Sequence, residues 1–246
     1  MRLTVLGGSG GFPGAGGACS GYLIEHDGFR LLVDPGYAVL PRLLEIVAAE
    51  AIDAVLVSHR HPDHVADLNP LLRARVMGDG APPRLPTYAL PDTLGAVLAL
   101  DRIEAVTDAC DVREFDAGDA FRIGPFAVES RRLPHPAPNA GFRIAVGGRS
   151  LTYTGDAAPS DDLVELASGT DLLLAEASYV ETVPADTVDS LSSALEVGRQ
   201  AHRAGVGRLL LTHLIPGTDA EASRAAAARG FQDWIGVADR GHVLEV

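Results

Sequence analysis

Three histidines and one aspartate fall within six residues of the segment 58–64, whose sequence is SHRHPDH. Imidazole nitrogens and carboxylate oxygens are the ligands that borderline divalent metals such as zinc accept. His59 and His61 lie two residues apart, so in an extended segment their side chains point the same way. Asp63 and His64 follow a proline, where the chain must turn, and can therefore face a second centre. We predict that this segment is a metal site.

Apolar strands elsewhere in the sequence also end in polar residues. The short apolar runs at 54–57, 151–154, 172–175 and 209–212 are typical of buried strands. Each leads into a histidine or an acid, namely His59, Asp156, Glu176 and His213. Because α/β folds build sites where polar groups follow the carboxyl ends of buried strands, we expect these residues to meet at one edge.

The pattern His-x-His-x-Asp-His after a buried strand resembles the signature of the metallo-β-lactamase superfamily of metal-dependent hydrolases. In that family a histidine, an aspartate and a histidine follow on separate loops, and this chain has His135, Asp156 and His213 in that order. The resemblance covers nearly the whole chain. It implies two metals with seven ligands: His59, His61 and His135 at one metal, Asp63, His64 and His213 at the other, and Asp156 bridging both.

Two metals held in this way can share a water, lower its pKa towards neutrality and yield a bridging hydroxide as nucleophile. The resemblance implies that Asp156 sets the metal separation and that Asp63 also orients the hydroxide. It further implies that Glu176 supports the site without binding metal, and we count these three residues as catalytic. The ligands include no thiolate, which favours two Zn²⁺ ions, with Mn²⁺ or Fe as alternatives. Asp34 matches a family aspartate that orients the histidine segment, although it can equally be a turn residue before Pro-Gly.

The order of predicted elements favours an α/β fold. Strands followed by helices occur in both parts of the chain, and helices are expected at 38–49, 71–76, 92–100, 160–167, 191–203 and 219–229. This order fits the family's αβ/βα four-layer sandwich, in which two mixed sheets pack face to face with helices outside. We expect residues 1–246 to form one domain. The glycine-rich loop 7–17 is expected near the site, and the Pro- and Gly-rich loop 78–86 is interpreted as a lid.

Within the superfamily the chain is most similar to ribonuclease Z and to the smaller bacterial cyclic-nucleotide phosphodiesterases. The similarity lies in the segments 141–144, 154–156 and 175–178, and it includes Arg143 as a candidate phosphate contact. Two features depart from ribonuclease Z. The sequence at 175–178 is AEAS where that family has His-Glu-Ala-Thr, so a proton-donating histidine is missing. The connection from His135 to Asp156 is also too short for a tRNA-gripping arm.

Three functions remain open on this sequence. The first is hydrolysis of a small phosphodiester such as a cyclic nucleotide, which we favour. The second is a carbonyl hydrolase, such as a lactonase or thioesterase, or ribonuclease Z-like tRNA 3′ processing at the same site. The third is metal binding without hydrolysis, which seven intact ligands disfavour.

Composition restricts the partners. The net charge is −13, whereas a protein that grips a long nucleic acid usually has a basic stripe. We therefore expect a small-molecule substrate and no large nucleic acid. No apolar run approaches the roughly 20 residues of a membrane span, and the N-terminus lacks the shape of a signal peptide, so we expect no membrane partner and a cytoplasmic location. A homodimer is compatible with the sequence. Cys19 and Cys110 are interpreted as free structural thiols.

Overall fold

Two sheets of seven strands each form the centre of the molecule. The computed structural model describes residues 1–78, 80 and 82–246. The N-terminal sheet has the strand order β14 (Val243–Glu245), β1 (Arg2–Gly7), β2 (Gly21–His26), β3 (Phe29–Val33), β4 (Ala54–Leu56), β5 (Leu85–Ala89) and β6 (Cys110–Glu114). The C-terminal sheet has the order β13 (Trp234–Val237), β12 (Arg208–Thr212), β11 (Leu172–Glu176), β10 (Arg149–Tyr153), β9 (Asn139–Val146), β8 (Phe126–Leu133) and β7 (Ala120–Ile123).

Both sheets are mixed in the same way. In each, a block of antiparallel hairpins adjoins a block of parallel strands: β3 to β6 in the N-terminal sheet and β10 to β13 in the C-terminal sheet. Parallel neighbours need crossover connections, which here contain the helices. The carboxyl ends of the parallel strands therefore lie along one edge of each sheet, where loops can carry functional side chains.

Helices cover the outer faces of the two sheets. The N-terminal sheet packs against α1 (Val39–Leu44), α2 (Pro62–Val65), α3 (Leu68–Met77), α4 (Gly95–Leu98) and α5 (Glu104–Asp108). The C-terminal sheet packs against α6 (Asp161–Leu166), α7 (Ala194–Ala204) and α8 (Ala220–Ala227). Serine and aspartate side chains begin the last three helices by accepting main-chain N–H groups: Ser160, Ser193 and Asp219. The predicted four-layer αβ/βα sandwich is confirmed.

The inner faces of the two sheets share one apolar core, with Tyr22, Phe126, Phe142 and Tyr153 almost completely buried. Two hydrogen bonds cross between the sheets beside this core. The Tyr22 hydroxyl lies 2.7 Å from Thr212 Oγ1, and the Tyr153 hydroxyl donates to Asp34 Oδ2 at 2.8 Å. Since buried hydroxyl groups need partners, these bonds fix how the two sheets meet below the edge that carries the site.

Several predicted boundaries were wrong. The helix expected at 38–49 ends at Leu44, which is 47% exposed, and the helix expected at 92–100 spans only Gly95–Leu98. Strands β6, β13 and β14 were not predicted, because they are short and lie at or near sheet edges, where many side chains are exposed.

The loop expected to act as a lid lies elsewhere. Asp79 and Ala81 fall outside the described residues. The described part precedes β5, and Pro83 O accepts from the buried Arg75, whose guanidinium also binds Ala49 O and Ile52 O. This places the segment at the amino end of β5, opposite the edge that carries the site. No helix in the described ranges is long and apolar enough to span a membrane.

Candidate metal centre

All seven residues predicted as ligands lie at one edge of the sandwich. They follow the carboxyl ends of β4, β8, β10 and β12, as the sequence pattern indicates. They form two groups around a common aspartate. We call His59, His61 and His135 the outer group, Asp63, His64 and His213 the inner group, and Asp156 the shared aspartate.

The outer group has three imidazole nitrogens directed at one point. His61 Nδ1 lies 3.0 Å from His59 Nε2 and 3.1 Å from His135 Nε2. Asp156 Oδ2 lies 3.8 Å from His59 Nε2. His59 is fully buried, whereas His61 and His135 are partly exposed. One side of this group therefore faces solvent.

The inner group is buried on all sides. His213 Nε2 lies 3.2 Å from both Asp63 Oδ2 and Asp156 Oδ1. His64 Nε2 lies 3.1 Å from Asp156 Oδ1 and 3.5 Å from Asp63 Oδ2. None of these four residues is more than 7% exposed. Two histidines and two carboxylates thus converge in a site that is closed to water except through the outer group.

The donor set fits a metal ion. Among the residues that the structure describes, His64 Nε2 and Asp156 Oδ1 are buried and make no hydrogen bond, although they lie close together. Such orphaned buried polar atoms are rare in native proteins and call for an additional partner. A divalent cation between two imidazole nitrogens and two carboxylate oxygens satisfies them. These side chains are suited to hold a divalent metal ion.

Asp34 orients His64 of the inner group. Its Oδ2 accepts from the His64 Nδ1–H at 2.8 Å, which leaves His64 Nε2 free for a metal. The same carboxylate accepts from the Ser58 N–H and hydroxyl at 2.7 and 2.6 Å. Asp34 has φ of 50°, a left-handed conformation that is strained for a residue other than glycine. The expected orienting role of Asp34 is confirmed, and it is also the turn residue after β3.

Glu176 is buried and accepts hydrogen bonds from main-chain N–H groups. Its carboxylate accepts from Ser178 N at 2.9 Å and Ser192 N at 2.9 Å. Ser178 Oγ lies 3.0 Å from His213 Nδ1, and Ser190 O accepts from His135 Nδ1 at 2.9 Å. Glu176 thus fastens the two segments that orient one histidine of each group, which is a supporting position rather than a ligand position.

Two glycines are required by close approaches at the site. Gly155 precedes the shared aspartate with φ of 57°, and a Cβ there would lie 2.3 Å from Asn139 Oδ1. Asn139 in turn donates to Asp156 O at 2.6 Å. Gly36 packs so tightly that a Cβ would lie 1.9 Å from Asp63 O. The turns that carry Asp156 and Asp63 therefore depend on residues without side chains.

The glycine-rich loop borders the inner group, as predicted. Gly11 N–H donates to Asp63 Oδ2 at 2.9 Å. Gly10 lies against the ring of His213, since a Cβ at Gly10 would be 2.7 Å from His213 Nδ1. Cys19, at the end of the loop, is a free buried thiol. Burial and the charge of Asp63 raise its pKa to about 12, so it stays a neutral thiol at physiological pH.

Histidine pKa values shift in opposite directions in the outer and inner groups. Burial, together with the charge of neighbouring histidines, lowers the pKa values of His59 and His61. Burial also opposes protonation of His64, but Asp156 and Asp34 outweigh it and raise the pKa of His64 well above its usual value. The pKa of Asp156 is held well below its usual value, because His213 and His64 outweigh its burial. Burial raises the pKa of Glu176 to about 7.

Some residues of the site were not predicted. Tyr153, Ser178, Asn139 and the carbonyl of Ser190 orient ligands, yet serine, tyrosine and carbonyl groups occur throughout the sequence without a distinctive spacing. Arg143 is not placed as a phosphate contact. Its guanidinium donates to Ser168 O at 2.7 Å and Leu166 O at 3.3 Å, at the end of α6.

The model of the beta-lactamase superfamily domain matches residues 29–214. The probable metallo-hydrolase YhfI of Bacillus subtilis is 33% identical over 250 residues, which covers 100% of both chains. The chain belongs to the beta-lactamase superfamily. The crystal structure of YhfI, described as a metallo-beta-lactamase fold protein, matches this metallo-hydrolase with a TM-score of 0.90 over 100% of this chain and 98% of that one.

Two further proteins are similar to this metallo-hydrolase, one in sequence and one in structure. Ribonuclease Z of Mycobacterium bovis is 32% identical over 275 residues, which covers 100% of this chain and 98% of that protein. The crystal structure of the short form of human tRNase Z matches with a TM-score of 0.79 at 21% identity, covering 100% of this chain and 99% of that one. The human structure shows the shared fold alone.

Proposed function

We propose that this metallo-hydrolase is a two-metal phosphodiesterase that acts on a small phosphodiester, a cyclic nucleotide being the best candidate. The observation that carries the proposal is that two complete ligand groups share Asp156. When two divalent metals are bound, they supply a water of lowered pKa and draw charge from a phosphoryl oxygen. We propose Zn²⁺ at both positions, since all seven donors are nitrogen or oxygen, with Mn²⁺ or Fe as alternatives.

The residues of the chain divide the work in this proposal. Asp156 would hold both metals. Asp63 is placed by Gly11 N–H and His213, and its carboxylate stays ionised because His213 and His64 outweigh burial and lower its pKa. It is therefore suited to bind metal and to orient the attacking water. Glu176 acts through the segments it fastens.

The short connection between His135 and Asp156 favours a small substrate. The connection from His135 to Asp156 consists of β9, a tight turn at Gly147 and Gly148, and β10. It forms a hairpin that pairs from Arg149↔Val146 to Tyr153↔Phe142. The strongly acidic chain also repels a long polyanion. We propose that a small diester binds at the open side of the outer group and that no large nucleic acid is gripped.

Ribonuclease Z-like processing is the second candidate, favoured by the relative of that name at 32% identity. The alignment runs over 275 residues and is longer than this chain of 246, so ribonuclease Z carries segments that this chain lacks. Ala175, where ribonuclease Z has a histidine, is fully buried in β11. Loss of a general acid typically lowers the rate by about 10²–10⁴-fold. A substrate with a good leaving group tolerates this loss better than a structured RNA does.

The test compares kcat/KM for cyclic AMP, a precursor tRNA, a lactone and a thioester, with the same metal and salt for all four. We expect cyclic AMP to be hydrolysed and the precursor tRNA to be cleaved poorly. Asp156→Ala is the control that assigns any turnover to this site. Efficient tRNA cleavage without diester turnover would support the second candidate, and turnover of the lactone or thioester alone would overturn the phosphodiesterase proposal.

A further inference from the structure

A cavity lies beside the glycine-rich loop. It has a volume of about 540 Å³, within the roughly 300–1,000 Å³ of small-molecule sites. Its walls are the loop at Gly7–Ser9 and Gly16–Ala18, the segment 214–218 after His213, the end of β13 and the start of α8. None of the seven metal ligands lines it.

Arg42 is the buried cationic group of this cavity. Its side chain reaches from α1, and the residue is only 9% exposed. Arg42 Nη2 donates to Gly16 O, whereas Nη1 is buried and makes no hydrogen bond among the described residues. A buried guanidinium N–H without an acceptor is costly, so an oxygen acceptor placed there would stabilise this arginine.

The other charges of the cavity are largely matched. Arg224 pairs with Glu221 at 2.6 Å, and Arg240 pairs with Glu45 at the rim. Asp239 also lines the cavity, and its Oδ1 accepts from the Arg240 N–H at 2.7 Å. Arg42 alone among these three arginines makes no ion pair within the described part of the chain. Glu221 is paired with Arg224, whereas Asp239 accepts a main-chain N–H and makes no ion pair among the described residues. Arg42 is therefore the one lining arginine left to bind a negative group within the described part of the chain.

We propose that this cavity is an anion site that binds the phosphoryl group of a small molecule at Arg42. A guanidinium presents a planar fork that suits phosphate oxygens, and the glycine-lined wall lets a ligand approach the main chain closely. The remaining volume accommodates the rest of a small phosphorylated molecule. The site is separate from the metal centre and does not depend on the reaction proposed above.

The cavity and the metal centre share two walls, which couples them. Ser9 N donates to Ala18 O at 3.1 Å and Gly10 N to Leu214 O at 3.0 Å, so the loop is tied to the segment that follows His213. The same loop supplies the Gly11 N–H to Asp63. A phosphorylated ligand at Arg42 would therefore hold the loop that positions Asp63.

The test is calorimetric titration of the zinc-loaded protein with inorganic phosphate and, separately, with AMP. Because phosphate also binds metal centres, the differences between variants carry the result. Arg42→Gln should weaken the titrated affinity about tenfold or more, the usual cost of a charge-assisted hydrogen bond. Arg149→Gln, which changes an exposed arginine at the other end of the C-terminal sheet, is the matched control and should change nothing.

A second pair of variants changes an exposed residue, so we expect the protein to remain folded. Ala220 is exposed in the first turn of α8 and lines the cavity. Ala220→Glu should weaken phosphate binding by up to about fivefold and Ala220→Lys should strengthen it, as expected for charges near the surface. Phosphate binding that is the same in the wild type, Arg42→Gln and Ala220→Glu would overturn the proposal. Acetate binding that is weakened in Arg42→Gln as much as phosphate binding is would overturn the assignment to a phosphoryl group.

Discussion

The inner and outer ligand groups are built from similar residue types, yet their surroundings differ. The inner group is closed, and each of its members has a supporting partner: Asp34 for His64, Ser178 for His213 and Gly11 for Asp63. The outer group opens to solvent at His61 and His135, and His135 is oriented by the carbonyl of Ser190. One group is therefore buried and includes a carboxylate, and the other is partly exposed and made of imidazoles alone.

This difference indicates how the work is divided between the two groups. Supporting carboxylates fix the orientation of ligands and increase their basicity, so the inner group should hold its metal firmly. The exposed side of the outer group is where a substrate can reach a metal. The comparison can be tested by changing the shared aspartate, then members and supports of the inner group.

The largest effect is expected from Asp156→Ala. The wild type should carry about two metal ions per chain after expression with sufficient zinc, because Asp156 completes both groups. The variant should lose at least one ion, and turnover should fall by at least the roughly 10²–10³-fold that loss of one electrostatic stabiliser costs. Elemental analysis and kcat measure both. A wild type with one ion or fewer would contradict the two-metal site.

Asp63→Asn should come next. The amide keeps the shape and can still accept from Gly11 N–H, but it is a poorer metal ligand and takes up no proton. We expect kcat to fall by about 10²–10³-fold while the free energy of unfolding changes little. Asp53→Asn is the matched control, because Asp53 accepts from Arg30 N at 2.8 Å far from the metals. Near-normal turnover in Asp63→Asn would remove Asp63 from the mechanism.

Asp34→Asn tests whether the inner group depends on its support. The amide can no longer accept all the hydrogen bonds from Ser58, His64 and Tyr153. Loss of such a supporting partner typically costs about 10–100-fold in metal affinity, and we expect this at the inner position only. Competition with a chelator dye would measure the two affinities. An equal loss at both positions would show that the groups are not distinct.

The pH dependence of metal affinity should also differ between the groups. Without metal, His64 keeps its proton above pH 6.5, because Asp156 and Asp34 raise its pKa, so a metal must displace that proton. The pKa of His213 is raised as well, because Asp156 and Asp63 outweigh its burial, so affinity at the inner position should rise at least about tenfold per pH unit until pH passes the raised pKa values. His59 has a lowered pKa and is already neutral, so affinity at the outer position should be nearly flat above pH 6.5. His135→Ala and His213→Ala, titrated with zinc at several pH values, isolate the two positions.

The ligands could be predicted from the sequence because they adjoin strand ends. His59 to His64 form a dense local pattern, and Asp156 and His213 each follow an apolar run. The supports could not be predicted in the same way, apart from Asp34 and Glu176. Tyr153 and Asp34 are 119 residues apart, and their contact exists only once the two sheets have packed. Gly11 and Asp63 are 52 residues apart, and their contact exists only once β1 and β4 lie in one sheet.

The strands also divide into those that the local sequence predicts and those that it does not. The buried strands β3, β4, β11 and β12 each contain a run of three or more apolar residues, which is visible in the sequence. β14 pairs with β1 across nearly the whole length of the chain, as in Arg2↔Glu245, and no local pattern marks such a strand. The lid was misplaced because composition indicates a loop without indicating the end of the sheet at which it lies.

The smallest effect is expected from a matched pair of hydroxyl deletions, Tyr153→Phe and Tyr22→Phe. Each removes one hydrogen bond between the two sheets, and their rings pack together at a centroid distance of 5.1 Å. Tyr22→Phe should therefore cost about 0.5–1.5 kcal/mol in the free energy of unfolding, and Tyr153→Phe, whose bond ends on a carboxylate, about 1.5–3 kcal/mol. The two hydroxyl groups have different hydrogen-bond partners. Tyr153 binds the carboxylate of Asp34, which orients His64, whereas Tyr22 binds Thr212.

Tyr153→Phe should thus weaken metal binding at the inner position by a few-fold, and Tyr22→Phe should leave it unchanged. Denaturant unfolding of the metal-free protein and zinc competition on the loaded protein separate the two effects. If both variants lose stability and neither alters metal affinity, Tyr153 serves only to join the sheets. A loss of affinity in Tyr153→Phe alone would extend the support of the inner group across the interface, from the C-terminal sheet through Asp34 to His64.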